Sequence, residues 1–303
     1  MQRPKNFKKN YPKEASFGSR KRTERAILKS LSYRSIFNYP LSFSQLQNSL
    51  MTKKSISRED LVAVLDSLVS EGRVKIVGGR YCLSKVTSVD WDERRENSER
   101  LIEKSRKICD ILAEIPWIKF IGVTGSVAAF NARDSDDIDI LVITEKRRLW
   151  LSRGFVFLIL KILGELHRDG ESDRKICPNI LIDDSHLKWP RKSRNVYVAH
   201  EFTLLYPLYD KNGMYLKFLN KNSWVLKYFG NQKFGNGEAI EEKKARWNIL
   251  DPLESLAKFL QLRYMAPKKT TEVTEDNIIH FNKTDHTGRF LSEFDRVKGG
   301  ELK

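Results

Sequence analysis

A pair of acids set into an apolar strand narrows what this chain can fold into more than any other feature. Asp137-Ile138-Asp139-Ile140 runs straight into Leu141-Val142-Ile143. A Gly125-Ser126 pair stands upstream, after the apolar segment Ile118–Val123 and before a polar spacer. Side chains alternate across a strand, so Asp137 and Asp139 project from the same face. Two carboxylates so close repel one another, and a divalent cation removes that penalty. Oxygen-only ligands point to Mg²⁺ or Mn²⁺. The Gly-Ser turn supplies a complementary half: backbone N–H groups at a helix start, beside a small hydroxyl, suit a phosphate. Metal and phosphate together are the equipment of phosphoryl or nucleotidyl transfer.

With its spacer and its flanking strands, this Gly125-Ser126…Asp137-x-Asp139 arrangement resembles the DNA polymerase beta nucleotidyltransferase superfamily. The likeness covers residues 119–144. It implies that Gly125 and Ser126 hold the β- and γ-phosphates of a nucleoside triphosphate. It also implies that Asp137 and Asp139 hold metal ions that activate an acceptor hydroxyl and stabilise the pyrophosphate leaving group. The superfamily usually draws a third carboxylate from the strand after the long helix, which here is residues 175–183. Alternation puts Cys177, Asn179, Leu181 and Asp183 on one face of it. Asn179 stands near the third position, where its carbonyl could ligate a metal but could not act as a base. Asp183, at the strand end, is either the base or a cap for the next turn. Arg133 is the cation expected to meet triphosphate charge. Lys146, Arg147, Arg148 and Arg153 follow it in sequence, and for Lys146 and Arg147 a solvated helix start is the better account.

The resemblance makes the fold α+β: a nucleotidyltransferase core of mixed sheet with helices, preceded by a winged helix-turn-helix and followed by a helical C-terminal region. The boundaries read 1–22 for a disordered basic tail, 23–86 for the winged module, 87–114 for a linker helix, 115–190 for the core and 191–303 for the C-terminal region. The winged module rests on local signals. Ser42-Phe43-Ser44-Gln45 is a capping box, Ser57 opens a helix with Leu61, Val64, Leu65 and Leu68 at helical spacing, and Gly78-Gly79 turns a hairpin. Its third helix carries Arg58 but also Glu59, Asp60, Asp66 and Glu71, which weakens contact with phosphates. Residues 195–208, 214–220, 222–228, 251–264 and 287–297 read as further helices. In 251–264, Leu253, Leu256, Leu260 and Leu262 mark an amphipathic pattern.

The 303 residues carry a net charge of +16, and the pI is near 9.6. That balance leans toward a polyanion, RNA or DNA, gripped through the basic tail and the winged helix. Cys82, Cys109 and Cys177 are too scattered for a disulfide framework or a zinc site, so a cytoplasmic setting is the simple expectation. The N-terminus lacks an apolar signal core. The apolar segment 149–166 is broken by Arg153, Lys161 and Glu165, and reads as a helix buried on a sheet rather than a membrane span. His167, His186, His200, His280 and His286 show no metal spacing and are expected at the surface or in packing. The leading expectation is a metal-dependent transfer of a nucleoside monophosphate from a nucleoside triphosphate to a hydroxyl on an RNA end, a protein or a small molecule. The alternative is a nucleic-acid-binding regulator whose transferase domain is degenerate and only senses nucleotides.

Overall fold

A computed structural model of the chain describes residues 17–83, 90–167, 174–235, 249–266, 273–275, 277–280 and 286–301. The chain divides into two units. One is Met1–Thr87 with Phe229–Asn231 and Phe294–Lys303; the other is Ser88–Tyr228 with Gln232–Glu293.

The first unit follows its local signals closely. Its elements are α1 (Phe17–Ser35), α2 (Phe43–Asn48), α3 (Arg58–Ser70), β1 (Val74–Val77) and β2 (Arg80–Leu83). At the start of α2 the Gln45 N–H donates to Ser42 Oγ at 3.3 Å, and the Ser42 N–H donates to Gln45 Oε1 at 2.9 Å. Two donors that a helix start leaves without partners are thus satisfied reciprocally. Ser57 caps α3 by accepting from the Asp60 N–H. Leu61, Val64, Leu65 and Leu68 then bury one face of that helix. Gly78 and Gly79 take φ of 56° and 72°, the left-handed pair that a two-residue hairpin needs to match strand twist. α1 starts at Phe17, so residues 17–22 of the expected disordered tail are helical; residues 1–16 lie outside the described residues.

The second unit is mixed α/β. It opens with α4 (Trp91–Ala113), β3 (Ile118–Val123), α5 (Gly125–Ala128), β4 (Ile138–Thr144), α6 (Leu149–Ile162) and β5 (Ile176–Asp183). It continues through α7 (Val196–Leu204), β6 (Tyr206–Asp210), α8 (Met214–Lys221), α9 (Asp251–Met265), β7 (Val273–Glu275) and β8 (Ile278–His280). A last helix, α10 (His286–Glu301), closes the described chain. The sheet order is β6-β3-β4-β5-β8-β7. β4 and β5 are parallel, so the chain must cross over between them, and α6 is that crossover. The remaining pairs are antiparallel.

The two central strands change character along their length. Ile140, Leu141, Val142 and Ile143 on β4, and Ile180, Leu181 and Ile182 on β5, are all buried. Such continuous apolar runs need cover on both faces. Earlier in each strand the pattern alternates instead, leaving Asp139, Cys177 and Asn179 half-buried on one face. That alternating end is where polar chemistry can reach solvent.

Several expectations need correction. Residues 195–208 are not one helix: α7 stops at Leu204, and Tyr206–Asp210 pairs with β3 at the sheet edge. Pro207 explains the break, because a residue preceding proline is driven out of the helical region. The region after residue 191 is therefore not simply helical, since β6, β7 and β8 join the sheet. Residues 223–227 form a 3₁₀ turn rather than an α-helix. Pro178, which a strand tolerates at an edge or a bulge, sits at a bulge as expected, with the register slipping between Ile140↔Pro178 and Leu141↔Ile180.

α9 is rotated against its hydrophobic pattern. Leu253, Leu256 and Leu260 are exposed, while Glu254 and Gln261 face α6. The Trp150 and Leu151 N–H groups donate to the Glu254 carboxylate at 2.7 and 2.9 Å. Gln261 accepts from Arg153 Nη1 at 2.6 Å and donates to the Trp150 carbonyl at 2.7 Å. Buried helix-start donors without a partner are expensive, so this polar docking sets the rotation of the helix. Among the described residues no helix is long and apolar enough to cross a membrane. Replacing Glu254 with Ala leaves both N–H groups unpaired, and should cost about 1–3 kcal/mol in urea denaturation.

Candidate functional site

The site is assembled around a single left-handed turn. β3 delivers Thr124, whose N–H donates to the Asp139 carbonyl at 2.9 Å across the β3–β4 pair. Gly125 then turns with φ of +68°, a conformation that a side chain disfavours. A Cβ at Gly125 would also stand 3.1 Å from Asp139 Oδ2. The left-handed turn favours glycine, and the acid lies close against the bare backbone. Val127 and Ala128 anchor the short turn of α5 in the core. The following loop is tied back by the Asn131 N–H to the Ser126 carbonyl and by the Ala132 N–H to Ser98 Oγ, each at 3.0 Å.

Asp137, immediately before β4, and Asp139, on it, follow. Asp137 Oδ2 lies 2.8 Å from His167 Nδ1. Its Oδ1 is buried and has no hydrogen-bond partner among the described residues. Asp139 is more strongly perturbed. Burial first, then the charge of Glu201 and the nearby Asp137 and Asp136, push its carboxyl up to about 7, against an opposing hydrogen bond from Cys177. Glu201 comes from α7, where its Oε2 accepts the Gly125 N–H at 3.1 Å. Tyr197, one helical turn earlier on the same face, has its hydroxyl pKa raised by burial and by the charges of Glu201 and Asp139. The Tyr197 ring stacks on Phe290 at 5.3 Å between centroids.

β5 lines the other side. Cys177 pairs in register with Asp139, and Asn179 sits in the Pro178 bulge with its Oδ1 buried and without a partner among the described residues. Asp183 is elsewhere: it pairs in register with Thr144 at the far end of β4, roughly 20 Å along the strand from Cys177. There it is fully buried and accepts from the Ser185 N–H and Oγ at 3.0 and 2.5 Å. That is a turn-capping role. Burial raises its carboxyl pKa, against those bonds.

The sequence-expected cations divide in the same way. Arg133 is exposed at the loop beside the site, and its N–H donates to Asp136 Oδ2 at 3.1 Å. Arg147 and Arg148 instead pair with Asp251 on α9 at 3.4 and 2.8 Å. Arg153 bonds Gln261 and lies over the Phe157 ring. Those three hold α9 onto α6.

The structure thus gathers Gly125, Ser126, Asp137 and Asp139, with Asn179 two residues beyond Cys177 along β5, and it adds three groups. His167 follows α6 and is held beside β5 by its N–H donating to the Ile176 carbonyl; its tethering was invisible without the crossover geometry. Glu201 and Tyr197 carried one weak signal, their i, i+4 spacing on a short helix. Cation-holding capacity can be judged from the donor set. Asp137 Oδ1 and Asn179 Oδ1 are buried acceptors with lone pairs unused, the kind of oxygen a hard divalent ion takes. Among the described residues no group of three or more His, Cys, Asp or Glu side chains is arranged to hold a metal ion. No family model matches the chain, and no curated protein matches it.

The Asp139 shift carries a pH signature. The folded chain binds this proton more tightly than the unfolded chain, whose value is 3.8. The resulting stabilisation is complete below about pH 4 and is lost as pH rises through about 7. Asp139→Asn should therefore raise the melting temperature of ligand-free protein at pH 8 and leave it unchanged at pH 4, as read by thermal-shift fluorimetry.

Proposed function

We propose that this chain is a metal-dependent nucleotidyltransferase that moves a nucleoside monophosphate from a nucleoside triphosphate to a hydroxyl acceptor and releases pyrophosphate. The observation that carries the reading is the convergence of Asp137 and Asp139 on one strand face against the side-chain-free Gly125 turn, with unused acceptor oxygens at Asp137 and Asn179.

Each residue then has a role. Gly125 and Ser126 bring backbone N–H groups and a hydroxyl to the triphosphate. The Gly125 N–H is already accepted by Glu201, so a phosphate oxygen must displace that carboxylate to bind. Asp137, Asp139 and the amide oxygen of Asn179 are the ligand set for Mg²⁺ or Mn²⁺. A bound ion of that kind supplies charge neutralisation for the triphosphate and for the leaving group. Asn179 cannot take a proton, and Asp183 is committed to its turn. Of the acids at the site, Asp139, set against the Gly125 turn, is the one left to accept the hydroxyl proton. His167, with Nδ1 2.8 Å from Asp137 Oδ2, is placed to position that carboxylate. Arg133, exposed at the loop, is the cation for triphosphate charge.

The first unit, three helices followed by a hairpin, has the order of a winged helix-turn-helix, and we read it as one. RNA or DNA is the polyanion that its flanking Lys53, Lys54 and Lys75 fit, whereas Arg80 donates to Gln45 Oε1 at 3.3 Å. Arg58 is turned over the Phe43 ring at 4.5 Å, and Arg73 is paired with Glu24, so neither is presented freely to phosphate. A second reading is a nucleic-acid-binding regulator that senses nucleotides without turnover. It is favoured by the Glu201 carboxylate resting on the Gly125 N–H and by the displacement of Asp183 from the site.

Incubation with each α-³²P-labelled nucleoside triphosphate, Mg²⁺ or Mn²⁺, and total RNA separates the two. Transfer of label that falls by at least about 10²-fold in the Asp137→Ala/Asp139→Ala double variant is the expected result. Label transfer that survives the double substitution would sink the carboxylate mechanism. Nucleotide binding without label under any condition would favour the regulator.

A further inference from the structure

Two packed helices of the second unit leave rows of large apolar side chains uncovered. α6 turns Trp150, Val156 and Leu160 into the core, but Phe155, Leu158 and Ile162, spaced i, i+3 and i+7, are between 44% and 74% exposed. On α9 the polar docking through Glu254 and Gln261 leaves Leu253, Leu256, Leu260 and Tyr264 between 49% and 67% exposed. That spacing also makes one stripe. Single exposed leucines are common on protein surfaces. Aligned rows on two neighbouring helices are not.

The area identifies what covers them. Seven large side chains half exposed present roughly 800 Å² of surface, whereas the largest apolar patch on a typical monomer is about 300–600 Å². A stable interface of standard size buries about 800 Å² per partner. Charge selects among partners. Charged side chains beside the rows are few, Lys161 on α6 and Lys258 and Arg263 on α9, because Asp251 and Glu254 are turned to the start of α6. A two-fold contact brings a patch against itself, which apolar rows tolerate and rows of like charge do not. A lipid surface would call for Lys and Arg lining a free polar face. Here the polar side chains Arg153, Glu254 and Gln261 are spent inside the fold.

We infer that α6 and α9 form the interface of a homodimer, in which this face of one copy packs on the same face of its partner. The contact is isologous and stands independently of the nucleotidyltransferase reading.

Sedimentation equilibrium of the full chain from about 1 to 50 µM tests it, because a dimer's population follows its concentration. The wild type is expected at dimer mass, and Leu256→Glu/Leu260→Glu at monomer mass with an unchanged circular dichroism spectrum. Should that variant misfold, Leu256→Gln/Leu260→Gln supplies the same comparison. Hydrogen exchange of the wild type supplies a second readout, with protection of α6 and α9 rising with concentration. A wild type monomeric across the range overturns the inference, including one that instead binds anionic vesicles. A dimer that persists in both double variants overturns it as well.

Discussion

The close approach of Asp139 to the bare backbone of Gly125 is the constraint around which the second unit is organised. A Cβ on the turn would stand only 3.1 Å from that carboxylate, tighter than an ordinary contact, and Glu201 closes on the Gly125 N–H from α7. Burial and the charge of Glu201 raise the proton affinity of Asp139, which weakens the ligand-free fold at neutral pH. The strands absorb that cost a few residues further on, where Ile140–Ile143 and Ile180–Ile182 are buried on both faces. A polar end and an apolar end on the same two strands is how a strained cluster is kept in place.

A second constraint acts on the helices. The N–H groups that open α6 have no partner within their own helix, and α9 supplies one through Glu254. Once that bond and the Gln261 bonds are made, the rotation of α9 is fixed, and its leucine stripe faces outward. The Glu254, Gln261 and Asp251 bonds together outweighed burial of Leu253, Leu256 and Leu260, because each buried polar group left unpaired costs about as much as burying one leucine gains. The apolar face that the second copy is inferred to cover is thus a by-product of how a helix start is capped.

Much of the local structure was legible beforehand. The Ser42 capping box, the Ser57 cap, the Gly78-Gly79 hairpin and the strands on either side of Gly125 all depend on neighbours within a few residues, and they appear as expected. The bulge at Pro178 was one of two outcomes that a missing N–H permits, and strand β8 decided it by pairing beyond the bulge. What could not be read was non-local. Tyr206–Asp210 looked like the end of a helix until β3 offered it an edge. His167 and Glu201 lie far along the chain from Asp137 and Gly125, and no periodicity links them. The resemblance and strand alternation leave Asp183 as either third acid or turn cap, and the parallel register, which carries it to the opposite end of the strand, fits the cap.

Sequence alone determined that two acids share a face of an apolar strand beside a glycine turn, because strand alternation and the left-handed conformation of glycine act over a few residues. It also set the order of helices and hairpin in the first unit. Only the tertiary structure decided which further groups join the acids, how far burial lifts Asp139, and which side of α9 meets solvent. Those outcomes depend on strand register, helix rotation and desolvation, which exist only once distant segments pack together.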